Sequence, residues 1–189
     1  MLFAKHGAPI IDADIIAREI TQPGHVAYQQ IRKRWGDTCF TSTGELDRTT
    51  MRKRVFSIPK ELAALEAILH PEIEKEIEDQ KQRLAQQSHT YCVIVIPLLI
   101  EKNLYHLIDQ LIVVDVPKEI QITRTMQRDK ITRKQVESIL SKQATREERL
   151  QKADFIIDNS AELEALGAQV SKVDRRIKAR ITAQMGDSI

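Results

Sequence analysis

The sequence predicts an α/β protein with a parallel sheet that is covered by helices on both faces. Three observations support this class. Four short runs are apolar throughout rather than alternating, which is typical of strands buried on both faces of a parallel sheet. Helical patterns separate these runs, so the strands are joined by crossover connections. The length of 189 residues suits one core of ordinary depth, with room for an inserted subdomain.

The elements follow in order along the chain. The predicted strands are Pro9–Ile11, Tyr91–Ile96, Gln110–Val116 and Asp154–Ile157. The predicted helices are Asp14–Thr21, His25–Trp35, Arg48–Phe56, Pro59 to about Gln86, Lys118–Gln127, Thr132–Lys142 and a last one from Ala161. Leu2–His6 is predicted to be a helix end that Gly7 closes with a turn.

A long helical insertion is predicted between the first two strands. Roughly 78 residues separate them without any strand signal, far more than a simple crossover needs. We therefore expect a second, helical lobe. Its longest helix contains Pro71, which predicts a kink or a helix end at that point.

Composition indicates a soluble globular protein, with 42% hydrophobic and 30% charged residues. No apolar run approaches the roughly 20 residues that span a bilayer, and no secretion signal is recognisable, so we expect no membrane partner and a cytoplasmic location. Cys39 and Cys92 are far apart and have neither metal-ligand nor redox-pair spacing. We expect Cys39 to be a surface thiol and Cys92 a small core residue, and we expect no metal cluster.

Two stretches are locally basic although the net charge is only +2. Residues 31–54 contain seven basic and three acidic side chains, and residues 118–149 contain nine and five. Each surplus of four positive charges suits a nucleotide as well as a nucleic acid. The low aromatic content of 4% argues against nucleic acid, because base stacking needs aromatic side chains among the basic ones.

The segment Ala8–Ile20 is the most informative part of the chain, because it joins a buried strand, two carboxylates and the start of an amphipathic helix. Asp12 and Asp14 lie where the strand ends and the helix begins, which is where ligands bind in open α/β sheets. Asp14 is placed to take a proton from an alcohol or to hold a metal-bound phosphate, and Asp12 to orient its neighbours. Helix capping explains an aspartate there equally well.

Two further segments carry possible binding residues. After the apolar run Val93–Ile96, Pro97 ends the strand, and Leu98 and Leu99 are predicted to present apolar surface that forms a cleft wall. Hydrophobic cover over a strand end is the alternative, and Glu101 either binds or is solvated.

An arginine series follows, consisting of Arg124, Arg128, Arg133, Arg146 and Arg149. Guanidinium groups neutralise the charge that develops in phosphoryl transfer. The interruption at Asp129–Thr132 between two helices suits a lid that closes over a nucleotide. The alternative is a charged, solvated helix face.

In this order, six motifs resemble the bacterial dephospho-coenzyme A kinases, a family of P-loop kinases that complete coenzyme A synthesis. They are IIDADIIAR, LHPEI at Leu69–Ile73, VIPLLIE, RTMQRDKITR, QATREERL and ADFIIDN at Ala153–Asn159. The resemblance implies a three-layer α/β P-loop kinase fold, with ATP, Mg²⁺ and dephospho-coenzyme A as cofactors and substrate. It implies three parts: a nucleotide core (residues 1–21, 88–127 and 143–189), a helical substrate lobe (22–87) and a lid (128–142).

The resemblance also implies roles for individual residues. Asp14 corresponds to the catalytic carboxylate beside the accepting hydroxyl. The resemblance implies that seven residues line the substrate side: Asp12, Arg18, His70, Pro97, Leu98, Leu99 and Glu101. It implies that Arg124, Arg128 and Arg146 face the phosphates and that Asn159 lies near the adenine. No metal ligand is expected among these residues, and magnesium is expected through ATP and the missing phosphate loop.

One family motif does not occur in these 189 residues, namely GxxxxGK[ST], the loop that cradles phosphates. In the family, its strand lies in the middle of the sheet, between those that correspond to Tyr91–Ile96 and Gln110–Val116. We therefore expect an incomplete copy with its start placed too late and with little catalysis as it stands. Two alternatives remain: a non-catalytic protein that binds coenzyme A or a nucleotide, and a basic helical module that contacts nucleic acid.

Overall fold

A computed structural model describes residues 2–160 and 163–186. The chain divides into two compact units. The first unit is Ile10–Pro97, and the second unit combines Met1–Pro9 with Leu98–Ile189. The predicted lobe, residues 22–87, lies within the first unit, which also contains the two strands on either side of it. The division into core, lobe and lid stays a prediction.

The chain is a mixture of helices and short strands, as the sequence predicts. The helices are α1 (Leu2–Lys5), α2 (Ala13–Glu19), α3 (Val26–Trp35), α4 (Arg48–Ser57), α5 (Pro59–Gln86), α6 (Lys118–Asp129), α7 (Arg133–Leu140), α8 (Arg146–Lys152) and α9 (Leu163–Gly186). The strands are β1 (Ile10–Asp12), β2 (Val93–Val95), β3 (Ile112–Asp115) and β4 (Phe155–Asp158). In the described ranges, no helix is both long enough and apolar enough to cross a membrane.

Strand pairing confirms the predicted parallel arrangement. In the first unit β1 pairs with β2, with Ile11 opposite Ile94, and in the second unit β3 pairs with β4, with Val113 opposite Ile156. The described strands thus form two two-stranded sheets. Helices α2 to α5 fill the chain between β1 and β2, so the predicted helical insertion is confirmed.

The helical part of the first unit has its own core. The buried residues Ile31, Trp35, Cys39, Met51 and Val55 pack together, and apolar side chains of α5 cover them. The prediction that Cys39 is a surface thiol is wrong, since its side chain is fully buried. A short 3-10 turn, residues 36–39, carries it into the core, and local polarity of the sequence conceals this.

The long helix α5 continues through Pro71, so the helix does not end there, and the predicted alternative of a kink stays a prediction. Proline removes one intrahelical hydrogen bond and crowds the carbonyl of residue i−4, at a cost of about 3 kcal/mol in a helix interior. Helix α5 packs against α2, α3 and α4 within the first unit. This burial holds the helix together where local propensity favours a break.

The second unit is held together by α9, which packs along β4. Phe155 and Ile157 of β4 and Val170 and Val173 of α9 are buried. The segment that follows α1 also contacts α9, since the His6 Nε2 atom lies 3.0 Å from the hydroxyl of Ser171.

Coverage of the second sheet is incomplete. The sequence predicts strands covered on both faces, and this is wrong for Val114 and Ile156, which are 58% and 49% exposed. Ile157, the residue opposite Val114 in the pairing, is only 1% exposed. The apolar run of β3 therefore leaves a valine uncovered next to a buried neighbour.

Predicted element boundaries agree with the structure to within about two residues at most ends. The sequence missed α8, whose seven residues are almost all charged or polar and show no apolar face. The predicted helix Thr132–Lys142 is shorter, because Thr132 caps α7 and Ser141 ends it. The predicted start of the last helix, Ala161, lies outside the described residues.

Candidate active site

The junction of β1 and α2 separates the roles of its two aspartates. The Asp12 carboxylate accepts a hydrogen bond from the backbone N–H of Asp14 at 2.9 Å and a longer one from Ile15 at 3.3 Å. Asp12 is thus the N-cap of α2, where an acceptor satisfies free backbone donors. The capping alternative that the sequence left open holds for Asp12.

The carboxylate of Asp14 is exposed in the first turn of α2. Among the described residues it has no hydrogen-bond or ion-pair partner. Arg18 follows one helical turn later, so the two side chains share a face of α2. This arrangement leaves an acid and a guanidinium accessible at the end of a buried strand, where a substrate hydroxyl can reach the acid.

A second arginine that sequence reasoning missed lies next to Arg18. The Arg48 Nη2 atom donates a hydrogen bond of 2.6 Å to the hydroxyl of Thr21, and it lies 3.4 Å from the carbonyl oxygen of Arg18. Burial of the Arg48 guanidinium and the nearby positive charge of Arg18 lower the pKa of Arg48. The only sequence signal for this residue is the basic surplus of residues 31–54.

The remaining residues predicted for the substrate side have different environments. His70 is half-buried in the middle of α5, just before Pro71. Pro97 and Leu98 are exposed, but Leu99 is only 7% exposed, so the prediction that it presents apolar surface is wrong. Its backbone carbonyl accepts from Leu104, and a turn folds the side chain inward.

Leu98 has a left-handed backbone conformation, with φ of +59°. A branched residue there costs of order 1 kcal/mol or more, and such strain clusters at functional sites. Nearby, the Glu101 carboxylate accepts a hydrogen bond of 2.8 Å from the backbone N–H of Ala144. Glu101 thereby ties its loop to the segment before α8, a contact across 43 residues that the sequence does not reveal.

In the second unit, the structure brings together two residues for which the family resemblance implies contact with the nucleotide. The Arg124 Nη1 atom donates a hydrogen bond of 2.7 Å to the backbone carbonyl of Asn159. Arg124 belongs to α6, which follows β3, and Asn159 comes directly after β4. The carboxyl ends of two paired parallel strands thus lie beside one guanidinium group, at the edge of a sheet where ligands bind.

Arg146 is fixed by an acid that sequence reasoning did not single out. Its Nε atom lies 2.9 Å from Oδ1 of Asp115, and its Nη2 atom lies 2.6 Å from Oδ2. Asp115 is buried at the end of β3, and the hydrogen bonds from Arg146 hold the pKa of its carboxyl below the usual value. The pair orients Arg146 at the strand end and leaves its Nη1 atom without an acceptor among the described residues.

The arginines of the predicted lid are engaged locally. Arg128 pairs with its neighbour Asp129 at 2.7 Å. Arg133 binds Glu119 of α6 through two nitrogens, at 2.8 and 2.9 Å, and Glu137 of α7 at 2.8 Å. Arg133 therefore fastens α7 to α6.

The predicted interruption between these helices is confirmed. Lys130, with φ of +57°, ends α6 in a left-handed cap. Arg149, the last member of the series, donates to the carbonyl of Ala144 at 2.7 Å and thereby steadies the start of α8.

The described residues contain no group of three histidine, cysteine, aspartate or glutamate side chains that would hold a metal ion. The first unit provides a free carboxylate, and the second unit provides oriented guanidinium groups. Carboxylates accept protons from alcohols, and guanidinium groups stabilise phosphoryl charge.

An α/β fold with a free carboxylate and oriented guanidinium groups fits the class of phosphotransferases that act on small molecules. Comparison with known proteins makes the class specific. The family model described as dephospho-CoA kinase matches residues 1–165, and the chain belongs to this family. A dephospho-CoA kinase of Yersinia pseudotuberculosis is 42% identical over 185 residues, which cover 98% of this chain and 88% of the relative. The enzyme of that name from Escherichia coli is 43% identical over 171 residues, covering 90% and 82%.

Solved structures agree with this assignment. A dephospho-CoA kinase from Campylobacter jejuni matches with a TM-score of 0.68 and 30% identity, covering 92% of this chain and 87% of that one. A crystal structure of a Thermus thermophilus protein matches with a TM-score of 0.75 and 26% identity, covering 96% and 87%. The α/β fold with parallel strands is therefore that of dephospho-CoA kinase structures.

Proposed function

We propose that this chain transfers the γ-phosphate of ATP to the 3′-hydroxyl of dephospho-coenzyme A, the final step of coenzyme A synthesis, in the cytoplasm. The observation that carries this proposal is that Asp12 and Asp14 have different environments at the start of α2. Asp12 caps α2 and leaves the Asp14 carboxylate without a partner among the described residues. A carboxylate that the helix does not need is available to accept the proton of the attacking hydroxyl.

The acceptor would lie on the first unit. We propose that Asp14 contacts its 3′-hydroxyl and that Asp12 maintains the position of Asp14 through the helix start. Arg18, His70 and Pro97 of the same unit would line the rest of the acceptor. For Leu98, Leu99 and Glu101, which belong to the second unit, a substrate role stays a prediction.

The phosphate donor would lie on the second unit. Asp115 holds Arg146 in a fixed direction, and the carbonyl of Asn159 holds Arg124. Guanidinium groups oriented in advance stabilise phosphoryl charge without paying for reorganisation during the reaction. Arg128 would exchange Asp129 for a phosphate oxygen when the lid, residues 128–142, closes.

Magnesium would neutralise charge on the ATP phosphates when it is bound. The described residues contain no group of three acid, histidine or cysteine side chains that could hold a metal ion, and Asp115 is engaged by Arg146, so they fit a metal that is carried by the nucleotide better than one held by the chain. The residues of this chain would bind the substrates, orient them or accept a proton.

We further propose that a strand bearing a GxxxxGK[ST] loop completes the donor site from sequence beyond these 189 residues. The support is that β3 pairs with β4 alone among the described strands, which leaves its other edge unpaired there, and that its apolar residue Val114 is 58% exposed. An apolar, unpaired strand edge is a site for pairing with another strand. The backbone N–H groups of such a loop would cradle the β-phosphate.

The test adds such a strand and loop ahead of residue 1 and measures ATP-dependent phosphorylation of dephospho-coenzyme A by chromatography. We expect turnover from the extended protein and little from the 189 residues alone. Asp14→Asn should lower kcat by at least about 100-fold, the usual size of a general-base effect. Glu19→Gln, which removes another exposed carboxylate of α2, is the matched control and should keep full activity.

Two results would contradict the proposal. The extended protein, shown by calorimetry to bind dephospho-coenzyme A, would transfer no phosphate. Alternatively, Asp14→Asn would remain as active as Glu19→Gln. Binding without transfer would favour the non-catalytic alternative.

A further inference from the structure

The Arg48 guanidinium lies beside the C-terminal end of α2 in the first unit, with its Nη2 atom 3.4 Å from the backbone carbonyl oxygen of Arg18. Arg18 is in the last turn of this helix, and Arg48 is the first residue of α4. The Arg48 Nη2 atom donates to the Thr21 hydroxyl at 2.6 Å. The single proton of this hydroxyl is shared between the carbonyl oxygens of Ala17 and Arg18, each 3.0 Å away. Thr21 is only 2% exposed, so the bond that holds Arg48 is sheltered.

Neither arginine has a carboxylate partner within the described residues. Other arginines of the same unit do: Arg54, also on α4, pairs with Glu61 at 3.3 Å, and Arg32 pairs with Asp37 at 2.5 Å. The Nε and Nη1 atoms of Arg48 have no described acceptor. The guanidinium is thus anchored at one nitrogen and has its remaining donors available.

Two like charges held close together are unfavourable unless an anion lies between them. Burial of the Arg48 guanidinium lowers its pKa, and the charge of Arg18 adds to this lowering. A bound diphosphate would reverse it, since guanidinium groups bind phosphate oxygens through two parallel hydrogen bonds.

The position of the pair relative to Asp14 indicates which phosphate would be bound. Arg18 follows Asp14 by one helical turn, which separates their Cβ atoms by about 5–6 Å. An anion between Arg18 and Arg48 therefore lies on the same unit as the carboxylate and close to it. The proposed acceptor carries its negative charge on the diphosphate that joins its two halves, next to the ribose whose hydroxyl would meet Asp14.

We propose that Arg18 and Arg48 form a binding site for the diphosphate of the acceptor nucleotide, with Thr21 positioning Arg48. The identity of the ligand rests on the proposed kinase function. The simpler role for Arg48 is structural, because a cation near the last carbonyls of a helix stabilises its C-terminus. The two roles differ in what they predict for binding.

The experiment measures binding of inorganic pyrophosphate and of dephospho-coenzyme A to the full chain by calorimetry, without ATP. We expect Arg48→Ala and Arg18→Gln each to weaken binding of both ligands on the order of tenfold, the loss of one charge-assisted bidentate contact. Arg48→Lys should recover binding only in part, because lysine keeps the charge but not the fork. Arg52→Ala, one turn along α4 and without a described partner, is the matched control and should bind as the unchanged protein does.

Arg18→Gln keeps the test decisive if Arg48→Ala fails to fold, since the Arg18 side chain makes no described hydrogen bond. In the loop-completed protein, Arg48→Ala should raise KM for dephospho-coenzyme A by a similar factor and leave KM for ATP unchanged. A change confined to thermal stability, with unchanged dissociation constants for both ligands, would overturn the proposal, and so would an unchanged protein that binds neither ligand. In the loop-completed protein, arginine-dependent binding without phosphate transfer would refute the kinase function and leave this anion site in place.

Discussion

Arg146 and Asp115, 31 residues apart in sequence, form a two-nitrogen ion pair at the end of β3, with the shortest contact at 2.6 Å. Asp115 is buried, whereas nearly half of the Arg146 side chain is exposed. The acid therefore pre-orients a guanidinium that still faces solvent. An arginine on a helix of only seven residues acquires a fixed direction in this way.

Asp115→Asn should destabilise the protein by about 2 kcal/mol, because a partly buried pair is broken and Arg146 loses its acceptor. Urea denaturation at pH 7 measures the loss. Glu147→Gln, which removes an exposed acid next to Arg146, is the control and should change the free energy of unfolding by less than about 0.5 kcal/mol.

The same pair predicts a pH dependence. Arg146 depresses the pKa of Asp115 in the folded state, so the pair stabilises the fold above the unfolded pKa of about 3.9. This stabilisation is lost as the pH falls below that value and through the folded pKa. The difference in unfolding free energy between the unchanged protein and Asp115→Asn should shrink between pH 5 and pH 2. A constant difference would show that Asp115 acts without its charge.

Alanine substitutions of the two aspartates at the β1–α2 junction should differ in how much they lower the stability of the protein. Asp12→Ala removes the N-cap and should cost about 1 kcal/mol. Asp14→Ala removes only an exposed charge near the helix N-terminus and should cost no more than a few tenths of a kcal/mol. Thermal unfolding followed by circular dichroism distinguishes them. Equal losses would mean that Asp14 also supports the helix and is not reserved for chemistry.

Pro71→Ala should stabilise α5 by about 1–3 kcal/mol, because it restores a backbone donor and relieves crowding of the preceding turn. Lys75→Ala, an exposed change one turn later in the same helix, should be nearly neutral and serves as the reference. Chemical denaturation of both variants makes the comparison. A loss of stability in Pro71→Ala would indicate that the packing of α5 depends on the proline ring.

Arg133→Ala should loosen α7 more than it changes global stability. The pairs with Glu119 and Glu137 are exposed, so water and salt screen them and they add little to the stability of the whole fold. Amide hydrogen exchange in Arg133–Leu140 should accelerate, and high salt should have a similar effect on the unchanged protein. Lys134→Ala is the adjacent control. Unchanged exchange in Arg133→Ala would show that the capping box at Thr132 holds α7 without the ion pairs.

Local patterns were reliable where a residue acts through its neighbours along the chain. Apolar runs located all four strands, and the acidic junction after the first run located Asp12 and Asp14. Local patterns failed at Cys39, which packs into the core with side chains of α3, α4 and α5, and at Leu99, which is buried although it follows the end of a strand. They also missed α8, since a short charged helix has no apolar period to detect.

The amino-acid sequence alone determined the α/β class, the parallel strands, the helical insertion, the family motifs and the carboxylate at Asp14, because periodicity, strand ends and motif order are properties of neighbouring residues. Only the tertiary structure decided which acid orients Arg146, which carbonyl holds Arg124 and which hydroxyl positions Arg48. Those contacts join residues 31, 35 and 27 positions apart. They form because packing brings distant polar groups together in places where burial makes an unpaired group costly.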